Sequence, residues 1–505
     1  MTKIFPKLMM ALAVTAACNA QAQKAAPVAA SANEQATSRH FASLVSGSQP
    51  KSAGLTLFFT MMPKGGDLHH HYSGAIYAEQ FLQWVDKQGY CVYKSNYQIE
   101  SDAGKLAMER AASPATRSCI SGEAVMLDNT MLSELLQRWG TKDFYNHSGL
   151  QSPPDRTFFD TFGYFNPVAS TNTAEGLRTL KQRAINENVS YIETVFELAP
   201  FTANADFDKA VLAPGLDSAA LNARLEALLP VLDKDAAWTG WLDAYKKNVD
   251  SSSAGIDDEQ FTMRYQPFVL RFLSPSQVFS SMVSAFRLAR ENPKVVGVNI
   301  VGQESTYVSM RDYKLHMQMF KFLKTKYPDV KLALHAGELA LGMVPPEGLQ
   351  SHIADAINVA GASRIGHGMD IAHESNALAT MKAMRERGIA VEVNLTSNDF
   401  ILGIKGDAHP VTLFRKYGVP FVISTDDAGV SRNNLANEYV LFASRYPTSY
   451  AEVKKLSYDS IRYSFLSAAE KQRLSAQLDG RFKKFEADVA ASTAANAAPG
   501  ATRQR

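Results

Sequence analysis

Cysteine is scarce: three in 505 residues, at positions 18, 91 and 119, and no C-x-x-C pair occurs. That excludes thiolate zinc sites and thioredoxin-like chemistry. No apolar run reaches the roughly 18 residues that a membrane-spanning helix requires, so no membrane span is expected. Neither charge is in excess, with 52 Lys and Arg against 50 Asp and Glu. The chain thus lacks the electrostatic footprint of a nucleic-acid binder. A glycine-rich phosphate turn after the first strand-like run is also missing, which argues against a doubly wound nucleotide-binding sheet. What is present is 46% hydrophobic residues, enough for a large buried core.

The first 22 residues read as a secretory signal. Lys3 and Lys7 precede an apolar run from Leu8 to Ala17, and Ala20-Gln21-Ala22 suits cleavage. Thr15-Ala16-Ala17-Cys18 offers another route, lipid attachment at Cys18, although Thr15 stands where a bulky aliphatic residue is usual. Both imply export, to the periplasm or medium or to a lipid tether. Cys91 and Cys119 then remain as an even pair in an exported chain, and a bridge between them closing an inserted loop is expected. Residues 23–50 read as an Ala/Ser-rich tether with one short helix near Glu34–Val45. The tail from about Ala490 reads as disordered.

Between these ends, eight β-rich runs alternate with helical stretches: Gly66–Ser73, Tyr191–Glu197, Tyr265–Leu273, Val295–Gly302, Lys331–Glu338, Arg364–Asp370, Ala390–Asn398 and Pro420–Gly429. Eight parallel strands close a (β/α)8 TIM-type barrel, here over residues 51–489. The gap after the first run is too long for one crossover helix, so an insertion at about 85–155 is expected. Helical segments after Asn433 would cover the barrel.

The polar residues fall where such a barrel carries its chemistry, at the C-terminal ends of strands. Five of the eleven histidines lie in three short segments: His69-His70-His71, His335 and His367. His69 and His71 are two apart on a strand, so they share a face, and His70 points to the other. Together with His335 and Asp426 they offer nitrogen and oxygen donors without thiolate. That set suits one catalytic zinc per chain, with iron, nickel or manganese as alternatives. Such an ion acidifies bound water. His367 then reads as a base or hydroxide-orienting group and Glu338 as a proton donor. Asp427 beside Asp426 is a repelling pair that a cation would screen.

Four ordered segments resemble motifs of the adenosine deaminase family, especially its secreted, growth-factor-related and bacterial exported members. They are Met62-Pro63-Lys64-Gly65-Gly66-Asp67-Leu68-His69-His70-His71, His335-Ala336-Gly337-Glu338, Arg364-Ile365-Gly366-His367-Gly368 and Ser424-Thr425-Asp426-Asp427. The resemblance runs from about Leu55 to Glu470. It implies a zinc barrel that hydrolyses adenosine, and 2′-deoxyadenosine, to inosine and ammonia. It further implies His69, His71, His335 and Asp426 as ligands, Glu338 protonating purine N1, and His367 steadying the attacking hydroxide. Asp427 would bond N7, and the Gly302 backbone N–H would contact N3. Departures stand beside the match. Ser73 replaces an aspartate that contacts ribose in many members, Asn394-Leu395 replaces Cys-Pro before Ser397-Asn398, and Ala428 replaces a proline. Asp155–Phe162 reads equally as a substrate-side segment or as core. The cytidine-type zinc deaminase motifs H-x-E and P-C-x-x-C are missing, and no run offers the bridging lysine common in other amidohydrolases. Two further readings stay open: action on another purine or related heterocycle, and a non-catalytic nucleoside-binding or signalling protein.

Overall fold

The computed structural model describes residues 30–47, 49–145 and 151–497. The expected signal segment, Cys18 and the last eight residues lie outside them. Each of the eight runs overlaps a strand, three of which begin two or three residues earlier than the run: β1 (Lys64–His71), β2 (Val189–Leu198), β3 (Thr262–Leu270), β4 (Asn299–Val301), β5 (Ala333–Ala336), β6 (Arg364–His367), β7 (Ala390–Val393) and β8 (Phe421–Ile423). Runs such as Ala-Val-Glu-Val and Phe-Val-Ile are buried throughout, as strands covered on both faces by helices must be.

All neighbouring barrel strands pair in parallel, in the orders β1-β2-β3-β4 and β5-β6-β7-β8. Single bridges close the ring between the two halves, Val298 with Leu332 and His70 with Asp426. At the second closure the Asp426 N–H donates to His69 O at 2.8 Å, and the His71 N–H donates to Asp426 O at 3.1 Å. The chain's first and last barrel strands are thereby fastened at their C-terminal ends. The result is a (β/α)8 barrel.

The segment between β1 and β2 holds helices and a small antiparallel sheet of Cys91–Tyr93, Ile99–Glu100 and Cys119–Ile120. A Cys91–Cys119 disulfide fastens this sheet. A second excursion, between β2 and β3, adds three helices, Ala205–Val211, Ser218–Lys234 and Ala236–Ser252.

The chain ends are more ordered than their composition suggests. Helix Ala32–Val45 is the short helix expected near Glu34–Val45, and rather than standing free it rests on the C-terminal helix, where Thr37 donates to Glu486 O. That C-terminal helix runs Ala468–Ala497, past Ala490, where a disordered tail was expected. Leu474, Leu478, Phe482, Phe485 and Val489 recur at helical spacing and are buried, while alanine sustains the last turns.

Candidate active site

The ends of β1, β5, β6 and β8 bring four imidazoles and a carboxylate to one point. His69 Nε2 lies 3.3 Å from His71 Nε2 and 3.3 Å from Asp426 Oδ1, and His71 Nε2 is 3.4 Å from the same oxygen. The His335 ring centroid is 4.4 Å from that of His69 and 5.2 Å from that of His71. His367 completes the cluster, its Nε2 being 3.9 Å from Asp426 Oδ2 and 3.7 Å from Glu338 Oε1. Two sets of donor atoms converge closely enough for one ion: His69, His335, His367 and Asp426, and His71, Asp426 and Asp427. The four expected ligands thus lie in one cluster, but the first set takes His367 where the sequence reading took His71, and His71 falls in the second set with Asp426 and Asp427.

Above the cluster opens a cavity of about 520 Å³. Ser73, Gly302, Glu338 and Asp427 line it, so every expected site residue reaches this cavity or, for His69, lies beneath it. His70 turns to the opposite side, its Nδ1 lying 3.0 Å from Thr194 Oγ1. Phe158, Phe159 and Phe162 of helix Pro154–Ala169 form part of the wall, and Phe158 is also buried in the core. The segment serves both roles. Gln303, just beyond β4, ties this helix down by donating to Asp155.

The local backbone is strained where the chemistry sits. His367 and Asp426 both have left-handed φ, 66° and 61°, among only six such non-glycine residues described. Asp426 is held there by its two main-chain bonds to β1. Gly74 has no room for a side chain: a Cβ there would fall 1.5 Å from Asp427 Oδ1. Gly302 has φ 96°, and a Cβ would meet the Phe272 ring at 2.8 Å.

Behind the imidazoles runs a buried network that the sequence reading missed. His69 Nδ1 donates to Glu392 Oε2 at 2.6 Å. Arg364 donates to Glu392 and Glu193, at 2.5 Å each. Gln266 donates to Glu193 at 2.8 Å and receives Asn299 Nδ2 at 3.3 Å, leaving Asn299 Oδ1 to accept from His335 Nδ1 at 2.8 Å. Carboxylates only accept, so the whole chain has one polarity. It puts a proton of His69 and of His335 on Nδ1, so that Nε2 is the nitrogen each offers to a metal, which at His69 would take the place of a second proton. The signal that could have exposed these partners is a charge or amide inside an apolar strand, Glu392 in Ala-Val-Glu-Val and Asn299 in Val-Asn-Ile-Val.

The electrostatics also call for a cation. Against the downward push of burial, Asp426 and Glu392 raise the His69 imidazole to about 10. A site that draws a proton so strongly carries excess negative charge, which a divalent ion would satisfy instead. Burial, reinforced by Asp426 and Glu304, holds the Glu338 carboxyl well above the usual range. Burial and Asp426 do the same to Asp427, whose Oδ1 is buried without a partner. Glu304 fixes the turn carrying Glu338, accepting from the Gly337 and Glu338 N–H groups at 3.1 and 2.9 Å.

A parallel barrel with imidazoles and a carboxylate gathered at its strand ends carries its polar groups where barrels of this type place their chemistry. The adenosine deaminase family model matches residues 242–481, just under half of the chain. The adenosine deaminase of Pectobacterium atrosepticum is 31% identical over 188 residues, 37% of this chain and 51% of that protein. The chain thus spans about half the length of the curated relatives it matches. Among solved structures, Arabidopsis ADAL complexed with IMP aligns with a TM-score of 0.52 at 18% identity, covering 85% of this chain and 99% of that one. A COG1816 amidohydrolase from Burkholderia ambifaria, solved with bound Zn, aligns with a TM-score of 0.50 at 17% identity, over 86% and 94% of the two chains. Both likenesses are of fold.

Proposed function

We propose that the protein is an exported, zinc-dependent deaminase of adenosine and 2′-deoxyadenosine, releasing inosine or deoxyinosine and ammonia. The observation that carries this is one cavity whose floor gathers the Nε2 sides of His69 and His335 with His71 and Asp426, and beside them Glu338 and Asp427, whose carboxyls burial pushes up. His69, His71, His335 and Asp426 would hold a divalent ion, whose chemistry when bound would be to acidify water for hydrolysis.

The chain's own groups then do the rest. Glu338, whose carboxyl burial pushes up, donates a proton to ring nitrogen N1 next to the carbon that loses its amino group. Purine N7 is an acceptor, so Asp427 must be protonated to bond it, and its raised carboxyl meets that need. Ser73 and Glu197, whose Oε1 is buried without a partner, are polar groups available to sugar hydroxyls. Among the described residues no Lys or Arg lines the cavity, so none of them offers a 5′-phosphate a counter-charge. That favours a nucleoside over nucleotides such as the IMP held by the Arabidopsis protein. Ser73, shorter than the family's aspartate and neutral, favours as second reading a related heterocycle with a weaker sugar contact.

Export, to the periplasm or medium with lipid attachment at Cys18 as the alternative, is supported by the basic-apolar-small pattern of residues 1–22 and by the disulfide. Among the described residues no helix is long and apolar enough to cross a membrane.

The test is the ultraviolet change on adding adenosine to purified protein, with and without a chelator, beside a metal assay. Chelator-sensitive conversion to inosine is expected. Bound metal without conversion would overturn the adenosine assignment and direct an ammonia-release screen to other heterocycles. Neither metal nor conversion would leave a non-catalytic binding protein.

A further inference from the structure

His367 is backed by a second chain of hydrogen bonds, separate from the one behind His69 and His335. It starts at a group whose polarity cannot change. Val411 opens helix Val411–Tyr417, and its N–H, which has no acceptor within that helix, donates to His409 Nδ1 at 3.1 Å. A ring nitrogen that accepts carries no proton, so neutral His409 bears its hydrogen on Nε2. Burial, with Arg445 and His367 nearby, pushes His409 down to about 3, which keeps it neutral.

His409 Nε2 therefore donates to Asn398 Oδ1, 3.1 Å away. Asn398 Nδ2 must then face His367 Nδ1, at 2.9 Å, and donate to it. Turning the amide round would bring an N–H of Asn398 against His409 Nε2–H, and the only relief would be a proton on Nδ1, where Val411 N–H already points. Asn398, His409 and His367 are all fully buried, so water offers no alternative partner. The remaining nitrogen, His367 Nε2, is buried without a partner and faces the gap between Glu338 and Asp426.

We propose that Asn398 and His409 are positioning residues that lock His367 with its proton on Nε2. His367 is thereby a hydrogen-bond donor into the cavity rather than a bare nitrogen competing for the metal. This rests on the deaminase reading, in which the donor steadies the oxygen that attacks C6. It also divides the histidine cluster: two imidazoles are set to accept a cation and a third is set to donate.

The test is nitrogen NMR of the full chain with 15N-labelled histidine, recorded metal-free and zinc-loaded. A protonated Nε2 and a bare Nδ1 in His367 are expected in both states. Asn398→Asp is nearly isosteric but can only accept, so it should move the His367 proton to Nδ1. It should lower kcat by about 10²-fold with KM within about twofold and zinc content unchanged. His409→Gln, whose amide can accept from Val411 and donate to Asn398, should stay within about threefold of the parent kcat, whereas His409→Leu should lose about tenfold or more. A wild-type His367 with its proton on Nδ1, or an Asn398→Asp protein with full kcat, would overturn the proposal. If Asn398→Asp does not fold, the wild-type spectrum and the His409 pair decide. A wild-type protein inert on every purine would defeat the functional reading, while the spectrum would still judge the tautomer.

Discussion

Two hydrogen-bond systems support the same histidine cluster, and they are built in opposite ways. Behind His69 and His335 lies a charged system, anchored on the carboxylates of Glu392 and Glu193 and bridged by Arg364. Behind His367 lies a neutral one, anchored on the Val411 backbone N–H and carried by His409 and Asn398. An anchor that can only accept draws imidazole protons inward, and an anchor that can only donate drives one outward. Three histidines, chemically identical in the sequence, so receive two different functions from what stands behind them. The charged system also makes the His69 imidazole more basic, which suits a ligand, whereas a neutral relay suits a donor that must not hold a second proton.

The largest effect is expected at the group between the two systems. Glu338→Gln keeps the size and the hydrogen-bonding shape but has no proton to deliver, so turnover should fall by about 10³-fold. Metal content and nucleoside affinity, measured by elemental analysis and equilibrium binding, should be unchanged. Near-full activity would remove Glu338 from the proton-donor role.

Weakening the charged system should look different. Glu392→Gln leaves a bond for His69 or Arg364 but removes the negative charge that makes the imidazole basic. Zinc affinity should fall by about 10- to 100-fold, read by competition with a chelator, and activity should return at saturating zinc. Asn398→Asp, acting on the neutral system, should spare zinc affinity. Equal losses of zinc in the two variants would erase the distinction.

Acid should also act on the charged side. Glu304 pairs with Arg271, which in turn donates to His335 O at 2.7 Å. Burial pushes the Glu304 carboxyl up, but Arg271 and His352 overcome it and hold it at about 2. A lowered folded value means that the unfolded chain binds the proton first. The contribution to stability is complete above about pH 4.5 and is lost as pH falls towards 2. Glu304→Gln should therefore be less stable at pH 7, by on the order of 2 kcal/mol, and converge with the parent near pH 2 in chemical denaturation. Parallel stability curves would place the charged side's acid response elsewhere.

The contrast between the two systems also explains what could be read from sequence. Most of the eight strands were legible as short, buried, largely apolar runs, and the candidate ligands, including those on the polar β1, because a barrel puts its chemistry at strand ends. The supports were not. Glu193, Gln266, Asn299, Arg364 and Glu392 come from five strands, and their meeting depends on register and on the ring closing. His409 lies on a loop 11 residues after Asn398, with nothing local to join them. Helical segments after Asn433 were expected, but the last turns of the C-terminal helix, past Ala490, were not: their Ala-, Ser- and Thr-rich composition reads as disorder, and they continue a helix that Phe482, Phe485 and Val489 anchor.

The smallest expected effect concerns the cavity wall, which neither system reaches. Ser73 follows the β1 ligands by two residues and lines the cavity, where the family's members commonly carry an aspartate. A carboxylate in its place would accept two sugar hydroxyl bonds in a partly buried setting, each worth about 1 kcal/mol. It would also add charge beside Asp426 and Asp427, which opposes the gain. Ser73→Asp should therefore lower KM for adenosine by less than about tenfold and leave kcat and zinc affinity alone, because the substitution touches neither anchor. A sugar analogue lacking the hydroxyl concerned should show no gain. If kcat changed instead, the wall would be coupled to the His367 side, and the separation of binding from chemistry drawn here would fail.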